Sequence, residues 1–154
     1  SSTRSHLGTK SIIQGLKTAR LVLVEDNPGD VLLVRKALQQ KGVKFKLTCF
    51  EDGETALRAL SRQESEVPDI ILLDLRLPKR EGFEVLRAIR SMPKFAEVPV
   101  AILTSSESAK DMHRASLLGA ERYIRKPPML EEFARQLGRC VEEMLLHKLG
   151  TKVA

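Results

Sequence analysis

The sequence has little cysteine, no long apolar run and no repeat, and each absence removes a class of protein. Only two of its 154 residues are cysteines, Cys49 and Cys140. They lie far apart in apolar contexts, which predicts two buried free thiols rather than a disulfide framework. A reducing compartment follows, most simply a cytoplasm. No apolar stretch approaches the roughly 18–20 residues that cross a bilayer, and no signal-peptide pattern opens the chain. No internal repeat or low-complexity linker divides it. One ordinary globular domain with a real core is expected.

The basic excess is thin. The formal charge is +6, but residues 1–20 hold Arg4, Lys10, Lys17 and Arg20 with no acid. The remainder sets 22 basic residues against all 20 acids. A balanced body with a basic end is not a basic binding face, so neither nucleic acid nor membrane is expected as a partner. The first residue is Ser rather than Met, and SSTRSHLGTKS has no periodicity. Residues 1–18 are set aside as an N-terminal arm or a vestige of expression.

What is present is a strict alternation. ARLVLVE (19–25), FKLTCF (45–50), IILLD (70–74), VAILT (100–104) and RYIRK (122–126) are short, apolar and rich in branched or aromatic residues. They read as strands, and most are apolar at nearly every position, as strands buried on both faces of a parallel sheet are. Helical spacing lies between them. Asn27 can cap a helix with Pro28 at its first position, Asp30 in its first turn, a face of Leu33, Val34, Ala37 and Leu38, and Gly42 as its stop. Further helices are predicted over 53–61, over 82–91 with Phe83, Leu86 and Ile89 inward, and over 108–118. The last runs from about Met129 to His147, with Met129, Phe133, Leu137, Val141 and Met144 as its stripe. Five β-α units imply an α/β fold: a doubly wound five-stranded parallel sheet with right-handed crossovers. One domain over 19–149 with a short tail at 150–154 is expected, and no second domain.

In such a sheet, ligands bind where the strand order reverses, outside the carboxyl ends of the strands. Glu25 and Asp26 follow the first strand and Asp74 ends the third. With strand order 2-1-3-4-5 these strands are neighbours and the three carboxylates converge. They repel unless something positive sits among them. Mg²⁺ suits the site, because it binds through one or two carboxylates, waters and a phosphate. Strand 4 ends in Thr104 and Ser105, a hydroxyl and a small residue. Lys126, before two prolines, is held extended and can aim its ammonium at the acids. Acids, hydroxyl and amine together resemble a phosphoryl-transfer site, where positioning and charge stabilisation do most of the catalysis.

VLVEDN (22–27), LLDLRLPKREG (72–82), ILTSS (102–106) and GAERYIRKP (119–127), in this order and spacing, resemble the receiver domains of two-component response regulators, over roughly residues 19–147. The resemblance implies a flavodoxin-like receiver fold with Asp74 as the residue phosphorylated by a sensor histidine kinase. It implies Mg²⁺ bound by Asp26 and Asp74 directly, by Glu25 through water and by the main-chain carbonyl of Arg76. Thr104 and Ser105 would bond phosphoryl oxygens, Lys126 would pair with another, and Thr104 with Tyr123 would form the switch. EDNPGD and the lack of an attached effector resemble the small stand-alone regulators, some of which serve phytochrome-type kinases. The role is a phospho-acceptor rather than an enzyme, apart from self-catalysed phosphorylation and dephosphorylation. Two departures stand out. Arg76, long and cationic two places past the acceptor, can alter dephosphorylation, and Glu81 replaces the commoner Asp with no effect expected.

Competing functions fit less well. A phosphatase of the haloacid dehalogenase type needs a second Asp where Arg76 stands, and a cap domain. A flavodoxin-like flavin protein needs a hydroxyl- or glycine-rich phosphate loop, and EDNPGD would repel the phosphate. Within the receiver reading, the chain either acts on a downstream protein target or relays phosphate to a histidine-phosphotransfer protein. Leu145, Leu146 and Leu149 suggest more apolar surface than helix 5 can bury, so the face of helix 4, strand 5 and helix 5 is the candidate surface for self-association or target binding.

Overall fold

The computed structural model describes residues 18–126 and 129–153, with side chains as far as Lys148. Most of the N-terminal arm, the two prolines after Lys126 and the Leu149 side chain lie outside the described residues. Strands β1 (Ala19–Val24), β2 (Phe45–Phe50), β3 (Ile70–Asp74), β4 (Val100–Thr104) and β5 (Arg122–Arg125) form one sheet in the order β2-β1-β3-β4-β5. Every pairing is parallel. Helices α1 (Pro28–Gln40), α2 (Gly53–Leu60), α3 (Gly82–Ser91), α4 (Ala109–Leu117) and α5 (Leu130–Val153) alternate with the strands.

Each central strand sends alternate residues to opposite faces, so it feeds two cores. Leu21, Leu23, Ile70, Leu72, Ala101 and Leu103 pack under α1 and α5. Val22, Val24, Ile71, Leu73, Val100 and Ile102 pack under α2, α3 and α4. The stripe Phe133, Leu137, Val141 and Met144 of α5 is buried on the first face, each side chain contributing about 1.5–3 kcal/mol. Phe83, Leu86 and Ile89 of α3 are buried on the second. Helix ends follow local chemistry. Asn27 Oδ1 accepts from the Gly29 and Asp30 amides, Asp52 Oδ1 from Thr55 and Ser108 Oγ from Asp111. Gly42, at φ +72°, follows α1 in the left-handed conformation that glycine adopts without steric cost. Arg90 ties α3 to its surroundings by donating to the carbonyls of Phe95, Val98 and Gly119.

Several expectations need correction. Cys140 is buried, but Cys49 is exposed, because β2 is an edge strand covered on one side only by β1. Met129 is exposed and precedes α5, so the buried stripe begins at Phe133. Helix α5 continues to Val153, past His147 and through most of the expected tail, since a single Gly150 costs only about 1 kcal/mol in a helix. Leu145 is buried and Leu146 packs against the core of its own domain, so neither supplies the apolar face expected on α5. The large exposed apolar side chains of α4 and α5, among the described residues, are Met112 and Leu117 of α4 and Leu130 at the start of α5. Among the described residues, no helix is long and apolar enough to cross a membrane.

Candidate functional site

The parallel register brings the acidic residues together. Val24 pairs with Leu73, so the next residues, Glu25 and Asp74, leave adjacent strands at the same level. Glu25 is buried, held by its amide to the Phe50 carbonyl at 3.0 Å. Its Oε2 accepts from the Asn27 amide at 3.3 Å, which fixes the carboxylate against the start of α1. Asp26 is exposed at the rim. Asp74 is buried, and its Oδ1 accepts from the Arg76 amide at 3.0 Å, a turn that leaves Oδ2 facing the cleft.

Lys126 reaches into this group from the far side. Its amide donates to the Thr104 carbonyl at 2.7 Å, which extends the β4–β5 pairing by one residue and aims the side chain inward. The ammonium then lies 2.5 Å from Glu25 Oε1, 2.7 Å from Asp30 Oδ2 and 3.3 Å from Asp74 Oδ2. Burial works against the charge on Lys126, but the bonds to Asp30 and Glu25 and the charge of Asp74 outweigh it and raise its pKa. Burial pushes the Glu25 carboxyl up to about 8, helped by its contact with Asp74 and only partly offset by Lys126. One lysine therefore does not balance the acids around it.

A divalent cation would. Glu25, Asp26 and Asp74 each offer an oxygen within 4.8 Å of the others, a hard all-oxygen donor set of the kind that suits Mg²⁺ or Mn²⁺. Arg76 is exposed at the start of the loop that follows Asp74.

The hydroxyls stand on the neighbouring strand. Thr104 is fully buried, and its Oγ1 accepts from the Ser106 amide at 3.2 Å, while Ser105 is exposed. Tyr123 is half-buried, and its hydroxyl donates to the Ser106 carbonyl at 3.3 Å. Ser106 also donates to Asp111 Oδ2 at 2.7 Å, so the β4–α4 loop links Thr104 and Tyr123 to the first turn of α4. The sequence reading gave Asp30 no part here beyond a favourable first-turn acid, and gave Ser106 none. The available signal for Asp30 was its place on the first turn after the strand-1 acids.

A family model, described as the response regulator receiver domain, matches residues 21–137. The chain belongs to this family. A protein of Methanothrix harundinacea, named as a probable methanogenesis regulatory protein, FilR2, is 36% identical over 84% of this chain and 83% of its own. Response regulator Rcp1 of Synechocystis is 33% identical over 76% of this chain and 82% of its own. The Mn²⁺-bound crystal structure of Rcp1 superposes with a TM-score of 0.73 at 32% identity, covering 79% of this receiver and 90% of that chain. The phosphorylated cyanobacterial phytochrome response regulator RcpA gives 0.78 at 32% identity, covering 84% and 95%. The sheet order described above is thus that of a receiver.

Proposed function

We propose that this receiver domain, residues 19–149, is a cytoplasmic phospho-acceptor in which Asp74 takes a phosphoryl group from the phosphohistidine of a sensor histidine kinase. The observation that carries the reading is the convergence of Glu25, Asp26 and Asp74 within 4.8 Å, with the Lys126 ammonium on Glu25 and Asp74. An oxygen of Asp74 forms the new O–P bond as the N–P bond of the donor breaks and the imidazole nitrogen keeps the electron pair. Bound Mg²⁺ would supply the positive charge that lets an anionic phosphoryl group approach an acidic cleft. Asp26 and Asp74 would hold it directly, Glu25 through water, with the Arg76 carbonyl.

Lys126 neutralises a second phosphoryl oxygen, and Thr104 with Ser105 donate to the others. Thr104 Oγ1 accepts from the Ser106 amide while its own hydrogen would donate to the phosphoryl group, so one side chain joins that group to the loop. The Tyr123 ring and the first turn of α4 are bonded to the same loop, so a local charge event acquires a packing readout. The phytochrome-type kinases are the partner class favoured by the likeness to RcpA, a phytochrome response regulator.

The test is intact mass after incubation with phosphoramidate. Wild type is expected to gain one phosphoryl group with Mg²⁺ and none in chelator. Asp74→Asn is expected to gain none. A hydroxylamine-labile phosphate on the Asp74→Asn protein refutes the assignment.

A further inference from the structure

An ammonium has three N–H donors, and all three of Lys126 are engaged, by Glu25 Oε1, Asp30 Oδ2 and Asp74 Oδ2. None is left for a phosphoryl oxygen. Phosphorylation takes up the Asp74 oxygen, and drawing the ammonium out to a phosphoryl oxygen loosens its bonds to the other two carboxylates. The three differ in what release would cost. The side chain of Glu25 is 1% exposed and that of Asp74 9%, whereas that of Asp30 is 24% exposed. A carboxylate set free at Glu25 would stay buried away from bulk water, with only the cation to answer its charge. One set free at Asp30 regains water. Asp30 also stands in the first turn of α1, where the positive end of the helix favours its charge without the lysine.

We propose that Asp30 is a positioning residue that holds Lys126 on the α1 side of the cleft until a phosphoryl group on Asp74 draws the ammonium away, and so sets how readily the domain captures that group. This rests on Asp74 as the acceptor. The distances fit a holding role, since the ammonium is closer to Asp30, at 2.7 Å, than to Asp74, at 3.3 Å. Asp30 works through the lysine, with which it forms its ion pair in the cleft. Its strength sets a threshold, because every phosphoryl group must outcompete it.

Affinity for beryllofluoride, an anionic mimic of the phosphoryl group, tests this by calorimetry on the full chain at saturating Mg²⁺. Asp30→Asn, which keeps size and loses charge, is expected to bind about two- to fivefold more tightly, the worth of one partly exposed ion pair. In a Lys126→Gln background the same substitution is expected to change little, because the route through the lysine is gone. Asp30→Glu, which restores the carboxylate, is expected to bind like wild type. An equal gain from Asp30→Asn in both backgrounds would mean that Asp30 acts by plain repulsion of the anion, and overturns the proposal. If Lys126→Gln binds too weakly to measure, tightening by Asp30→Glu as large as that by Asp30→Asn overturns it instead. A wild type that takes up no beryllofluoride overturns the acceptor assignment and this role with it. Normal uptake with an unchanged Asp30→Asn protein overturns this role alone.

Discussion

Adding one methyl group at Gly82 should damage both stability and site, because the glycine sits against the main chain that carries Asp74. A Cβ there would lie 2.4 Å from the Asp74 carbonyl oxygen and 2.5 Å from Leu75 Cα. The amide of Gly82 also donates to the Leu75 carbonyl at 3.0 Å, so the start of α3 is pinned to the end of β3. Relaxed carbon contacts lie at about 3.5–4.0 Å, so the helix and strand must part by roughly 1 Å. Both clashing groups are backbone and cannot rotate away, which puts Gly82→Ala at the top of the overpacking range, about 3 kcal/mol. For a domain of this size that is a fall in Tm of roughly 6–12 °C. The displacement falls on the acceptor and on Arg76, so Mn²⁺ affinity should drop as well. Gly138→Ala is the contrast: its nearest atom is Cγ of the flexible Lys41 side chain, at 2.8 Å. The cost of moving that chain opposes a helix-propensity gain of about 1 kcal/mol, and near neutrality is expected. Urea and thermal melts measure stability, and Mn²⁺ titration followed by electron spin resonance measures the site. A Gly82→Ala protein that melts within a degree or two of wild type and binds Mn²⁺ equally would refute the argument.

Three further outcomes follow from the same geometry. Mg²⁺ at tenfold over its Kd should stabilise the domain by about 1.4 kcal/mol relative to chelator, and Asp26→Asn should remove most of that shift in a thermal melt; a full shift in the variant counts against Asp26 as a ligand. Arg90→Met keeps the aliphatic stem but leaves the carbonyls of Phe95, Val98 and Gly119 without their donor. It should cost about 2–4 kcal/mol by urea denaturation, and a loss under about 1 kcal/mol would show that water replaces the guanidinium. A thiol reagent should modify one cysteine of the native chain, Cys49, and a second only on unfolding, since Cys140 is buried; two fast-reacting thiols in the native state contradict the α5 packing.

The sequence alone determined the elements and where along the chain the residues of the acidic cleft lie. Strands apolar at every position can only be buried on both faces, which demands a parallel sheet with helices on each side. Asn27-Pro28 and Gly42 mark the two ends of α1 through local backbone chemistry, which needs no partner from elsewhere in the chain. The acids after strands 1 and 3 and the lysine after strand 5 point to the site because strand ends converge in this topology.

Tertiary structure decided what depends on neighbours distant in sequence. Cys49 looks like Cys140 in composition, and only the placement of β2 at the sheet edge exposes it. Leu145 and Leu146 look like spare apolar surface, yet the long α5 lies on its own core and uses them. Asp30 reads as an ordinary first-turn acid until Lys126, 96 residues later, reaches it across the cleft. Gly82 reads as a helix start, and the carbonyl of Asp74 pressed against it explains why no side chain fits. Periodicity and capping are local and can be read along the chain, whereas close approach and shared charge arise only where separate segments meet.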